Sequence, residues 1–232
     1  MKKLLQAFCL VLFIVNVSAQ TVTLPPYYGV QSSTFKCGVS TVKDYEGNTY
    51  NTVKIGNQCW LRENLKNTKL NDGTLIPLVI DSTWYNLTPA YCWYDNNISN
   101  KEIYGALYNW TTVNTSKLCP IGWHVPSDSE WTTLSDYLGG ESVAGGKLKE
   151  AGTAHWASPN TGATNETGFT AFPGGNRMYV NFGNIGVHGL WWTGSLYSGE
   201  EIWMRAMSNY DSILIKCYFQ IRTGASVRCV KD

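Results

Sequence analysis

Between Gly139 and Gly189 the chain carries twelve of its 22 glycines, together with Pro159 and Pro173. Glycine raises the entropy that must be lost on folding and proline removes a backbone donor, so this composition sustains neither long helices nor long strands. The expectation is a long loop region inserted in a folded domain, and long loops in small domains are frequently functional. Regular structure must then come from the flanks. Upstream, Val42–Tyr45, a turn at Glu46–Asn48, the alternating run Thr49–Ile55, a turn at Gly56–Asn57 and Gln58–Leu61 predict a hairpin or three-stranded meander. Ser127 is a good N-cap with Glu130 three residues on, which predicts a helix over Asp128–Leu138 with Trp131, Leu134 and Leu138 on its core face and Gly139-Gly140 as its stop. A second helix is expected over Ile103–Val113, and Gly145–Glu150 adds one short turn. Downstream, Leu190–Thr193, Glu201–Met207, Ile213–Ile221 and Ser226–Val230 read as short strands. Strands, helices, loops and strands in that order indicate α+β architecture with an antiparallel sheet and two helices.

The N-terminus sets the compartment. Lys2 and Lys3, the apolar stretch Leu4–Val15 and the small residues Val17-Ser18-Ala19 have the layout of a secretory signal peptide over residues 1–19, and the stretch is shorter than a spanning helix needs. Residues 20–36, with Pro25-Pro26, read as a short leader, and residues 37–232 as one domain. Without the signal the chain has 16 basic and 17 acidic residues, so neither a nucleic-acid surface nor a polyanion partner is indicated, and no later run is long enough to span a membrane. Cys9 leaves with the signal. Cys37, Cys59, Cys92, Cys119, Cys217 and Cys229 remain, an even number in an oxidising compartment and none in zinc-binding or thioredoxin-like spacing, so structural disulfides are expected among them. The location expected is periplasm, cell surface or medium.

Several segments together resemble a known family. They are Tyr45–Tyr50, Ile55–Leu65, Leu107–Trp110, Cys119–Trp131, Gly174–Arg177 and Ser226–Val230. They look like the Fibrobacter succinogenes major paralogous domain, an exported bacterial family mostly without defined function, grouped with C-type-lectin-like folds; the Pro126–Trp131 helix start also resembles the formylglycine-generating, sulfatase-modifying branch. The resemblance implies a C-type-lectin-like fold. It also implies a disulfide from the start of a helix to the last strand, which would join Cys119 to Cys229.

Chemistry is sparse. The calcium loop of sugar-binding lectins needs an acid or amide before proline, where Ser158-Pro159-Asn160 has serine, and Trp191-Trp192-Thr193 supplies no strand carboxylate. No metal site and no cofactor are therefore expected. A copper oxidase like the formylglycine-generating enzymes would require a close thiolate pair, and Cys217 and Cys229 are twelve residues apart. His124, His155 and His188 lack an evident acidic partner in sequence, and no catalytic triad spacing occurs; His124 is expected to be a packed core residue. Trp60, Trp110, Trp123 and Trp131 are expected in the core. Successive strand residues face opposite sides, so at most one of Trp191 and Trp192 is expected inside. An exposed aromatic stacks on a sugar ring or anchors a protein partner, and the resemblance implies that the C-terminal loop region is the ligand surface. The candidate ligand-binding residues are Trp156, Arg177, Tyr179, Trp192, Tyr197 and Asn209. The function expected is a non-catalytic binding module for a glycan or protein ligand, acting without calcium, with a structural or adhesive surface component and a copper oxidase as rivals.

Overall fold

A computed structural model describes residues 34–232; the expected signal peptide and residues 20–33 of the expected leader lie outside them. The upstream turns form where expected. β1 (Val42–Lys43) pairs with β2 (Thr49–Tyr50), and β3 (Thr52–Ile55) turns tightly into β4 (Gln58–Leu61) with Val53 opposite Trp60. Two further short strands, β5 (Tyr91–Cys92) and β6 (Leu107–Tyr108), pair with each other. The helix expected over Ile103–Val113 is broken. Gly105, at φ 74°, ends α1 (Lys101–Tyr104), β6 follows, and Asn109 caps the N-terminus of α2 (Trp110–Val113). A Cβ at Gly105 would lie 2.6 Å from the Leu65 carbonyl, so that bend is a place where only glycine fits.

β7 (Trp123–His124) leads into α3 (Asp128–Tyr137), the helix the capping residues predict. Ser127 Oγ accepts from the Glu130 N–H, and the Glu130 carboxylate accepts from the Ser127 N–H. Trp131, Leu134 and Leu138 are buried as the helical spacing requires. The glycine-rich stretch is more regular than its composition suggests. It holds α4 (Glu141–Leu148) and two strands, β8 (Gly174–Met178) and β9 (Asn181–Ile185). Close packing explains the glycines of α4: a Cβ at Gly145 would meet the Ile213 carbonyl at 2.3 Å and one at Gly146 the Gly162 carbonyl at 2.4 Å. Three longer strands follow, β10 (His188–Ser198), β11 (Glu201–Ser208) and β12 (Ile215–Gln220), and the described chain closes with β13 (Val230–Lys231).

Two principal sheets result. One has the order β3-β4-β13-β7, the other β12-β11-β10-β8-β9. The second is mixed rather than wholly antiparallel, because β10 lies parallel to β8 through Gly189 and Gly175. Both faces are covered along β8, the first half of β10 and most of β11. Trp191 and Trp192 are therefore both fully buried, Trp192 in a cluster with Tyr108 and Met204, Trp191 in a second cluster with Trp60, Trp131 and Leu148. Strand alternation is intact, and it is the presence of a core on each side that corrects the expectation of one exposed tryptophan.

The expected bridge between Cys119 and Cys229 is present, and a second joins Cys37 to Cys59. Cys92 and Cys217 are free, which corrects the expectation that the remaining cysteines pair. In the chain-entropy account the bridges, of sequence separation 22 and 110, contribute about 3 and about 5 kcal/mol. The architecture is thus a sheet-rich α+β domain with short helices and two disulfides.

Candidate functional site

Four of the six candidate ligand residues are interior. Trp156 is buried with its indole N–H on the Ala171 carbonyl at 2.9 Å, and Trp192 donates to the Tyr108 carbonyl at 2.8 Å. Arg177 is fully buried, its guanidinium donating to the carbonyls of Val79, Asp81 and Tyr179 and lying 4.4 Å from the Trp84 ring centroid. Asn209 is buried and donates to the Ser158 carbonyl at 3.0 Å. These side chains tie segments together and present no face to a ligand, which corrects their assignment as surface contacts. The loops themselves are pinned from inside: the Lys149 ammonium donates to the carbonyls of Thr161, Ser208 and Asp211 at 3.0, 2.8 and 2.7 Å.

Tyr197 and Tyr179 are the two candidates at the surface, 43% and 55% exposed. Tyr197 is the more informative. The pairings Trp203 with Tyr218, Arg205 with Lys216 and Trp191 with Arg205 place Trp203, Tyr218, Arg205 and Lys216 on the sheet face that carries Trp191. α3 and α4 share this face with Trp191, and their acidic groups hold the Arg205 guanidinium: Asp128 Oδ1 lies 2.7 Å from it and Glu141 Oε1 also pairs with it. Beyond that buried charge the face opens. Tyr197 stacks on Tyr218 at 4.3 Å with 13° between ring planes, and its edge meets Trp203 at 4.5 Å. The Lys216 ammonium sits 4.2 Å from the Trp203 ring centroid and 2.7 Å from Asp128 Oδ2. Three aromatic rings and a cation are thereby locked before any ligand arrives, with Tyr218 48% exposed. Such a platform can stack on the apolar face of a flat ring while Lys216 and Asp128 hydrogen-bond its polar edge.

Sequence reasoning picked Tyr197 but missed Trp203, Tyr218 and Lys216. The signal was available: Ile215, Cys217 and Phe219 alternate with Lys216, Tyr218 and Gln220, and the second set is exposed.

Tyr179, at φ 57°, stacks on Tyr85 with ring centroids 4.7 Å apart. Arg222 lies 4.5 Å over the Tyr85 ring and pairs with Glu200.

The remaining chemical candidates have structural partners. His124 is partly exposed rather than a core residue, and it bridges two carboxylates, Nδ1 to Asp232 at 2.6 Å and Nε2 to Glu130 at 2.8 Å. His155 Nδ1 meets the Glu150 carboxylate at 2.9 Å. Cys229 is committed to Cys119, so it forms no thiolate pair with Cys217, whose own thiol burial pushes up to about 11, the nearby Arg205 offsetting only part. Asn160 turns inward to donate to the carbonyls of Glu150 and Gly152. Among the described residues no group of three or more His, Cys, Asp or Glu is placed to hold a metal ion, and no helix is long and apolar enough to cross a membrane.

The fold and this surface define a disulfide-bonded α+β domain with a preformed aromatic face. Over residues 53–231 the chain matches the Fibrobacter succinogenes major domain family, and it belongs to that family. No curated protein and no solved structure matches it.

Proposed function

We propose that this is an exported, non-catalytic binding module with a C-type-lectin-like fold that holds a glycan through its C-terminal strands without calcium. The observation that carries the reading is the cluster of exposed Tyr197 and Tyr218 on half-buried Trp203, braced by Lys216. Aromatic rings held by one another lose little rotamer freedom on binding, so more of the contact energy appears as affinity. Export is supported by two disulfides, which persist in oxidising compartments. A calcium-free mode is supported by Lys149, whose buried ammonium already occupies the Thr161, Ser208 and Asp211 carbonyls.

The test is a glycan array probed with the oxidised mature protein, in calcium and again in chelator, beside the variant Tyr218→Ala. Saturable hits that survive chelation and weaken about tenfold in Tyr218→Ala, with an unchanged melting temperature, are the expected outcome. Hits lost on chelation, or binding indifferent to Tyr218, would sink the proposal.

A further inference from the structure

The second aromatic pair, Tyr85 and Tyr179, is continuous with the first cluster. Gln220 makes the connection. It lies two residues beyond Tyr218 on β12, hence on the same face, and it lines one cleft together with Met178, Tyr179 and Arg222. The end of β10 and the turn after it reach both clusters: Tyr197, near the end of β10, lies on the Tyr218 ring, and Glu200, in the turn before β11, pairs with the Arg222 guanidinium, which itself covers Tyr85. From Tyr218 to Gln220 is two residues, roughly 7 Å at strand rise, and Arg222 lies in the turn that follows β12. We propose that the two aromatic clusters are the two subsites of one linear binding track along β12, and that its ligand class is an unbranched oligosaccharide long enough to lie on both.

Shape and chemistry select that ligand over a folded protein. The two clusters together offer only a handful of side chains, Tyr197, Trp203 and Tyr218 from the ends of β10, β11 and β12 and Tyr85, Tyr179 and Arg222 beside them, whereas a stable protein partner covers roughly 800 Å² and about 20–30 residues on each side. Between the rings stand the Gln220 amide, the Arg222 guanidinium and the Glu200 carboxylate, planar groups suited to the paired hydroxyls along a sugar chain. Once a chain is held at one cluster, reaching the other is an intramolecular event, so affinity rises when its length spans both.

The inference rests on the glycan-binding reading above and separates from it by chain length. Unbranched β-linked oligomers of glucose, xylose and N-acetylglucosamine are titrated as trisaccharides and hexasaccharides against wild type, Tyr179→Asn and Tyr218→Ala. Asparagine tolerates the left-handed backbone at position 179. The expected result is a hexasaccharide that binds at least about tenfold more tightly than its trisaccharide, a gain that Tyr179→Asn abolishes while trisaccharide affinity at the Tyr218 end is kept. Equal affinity at both lengths, or a length gain that survives Tyr179→Asn, overturns the track and leaves the single platform standing. Binding at neither length overturns the glycan reading itself, and capture of a folded protein that needs both Tyr179 and Tyr218 replaces the oligosaccharide with that partner.

Discussion

Trp192 shows what a buried aromatic does in this molecule. Its ring packs 5.7 Å from Trp110 and its N–H is satisfied by a backbone carbonyl, so Trp192→Ala removes both packing and a hydrogen-bonded anchor. The expected cost is about 3–5 kcal/mol, read as a lower denaturation midpoint with an unchanged slope. Asn64 has the same character. Its carbonyl oxygen accepts from Trp191 and Arg228 and its amide donates to the Tyr104 carbonyl. Asn64, Arg177 and Arg228 all lie in the segments that carry the family resemblance, and all three are buried. Those motifs are therefore instructions for folding. Tyr218, Lys216, Gln220 and Arg222 lie outside every one of them, so the candidate site was legible only through strand alternation, which says which side chains face out and is silent on what covers them.

At the scale of elements, His124 joins β7, α3 and the residue after β13. Both ring nitrogens face carboxylates, which only accept, so both bonds are made together only by the doubly protonated ring. Burial works against that charge, but hydrogen bonds to Asp232 and Glu130 outweigh it and raise the His124 pKa above its ordinary value. A raised folded-state pKa means that this contribution is complete below about pH 6.5, the unfolded value, and is lost as pH rises through the folded value. Melting temperature followed from pH 5 to 9 should fall across that window in wild type more than in His124→Gln; parallel curves would remove His124 from the account. The cap of α3 shares the Glu130 carboxylate with this contact, one oxygen on His124 and the other on Ser127. Ser127→Ala is expected to cost about 1 kcal/mol in denaturant unfolding. Capped and alternating elements were readable because each depends on neighbours within a few residues. Only the second half of α4 was anticipated, as the short turn over Gly145–Glu150, and β8 and β9 were not, because their glycines answer to backbone beyond their own segment, such as Ile213 and Gly183, which no local pattern encodes.

For the molecule as a whole, the cysteines divide the fold. Cys37–Cys59 and Cys119–Cys229 both end on or beside the four-stranded sheet, while the five-stranded sheet contains one free thiol, Cys217, and no bridge. Thiol titration of the protein without residues 1–19, which carry Cys9, is expected to find two reactive groups after denaturation without reductant and none reacting rapidly in the native state, since burial raises the Cys92 and Cys217 thiols to about 11. Four reactive thiols under those conditions would contradict one bridge and six would contradict both. The placement of the bridges also has a mechanical meaning. A pull applied through chain outside Cys37 and Cys229 travels from Cys37 across to Cys59, along the backbone to Cys119, and across to Cys229. Everything between Cys119 and Cys229, including α3, α4 and all five strands beneath the aromatic rings, is bypassed and bears no tension. Tyr197, Trp203 and Tyr218 all lie within the bypassed segment, whereas Tyr85 of the second cluster lies in the loaded stretch between Cys59 and Cys119, so a stretched chain would keep the first cluster in place and draw Tyr85 away from it.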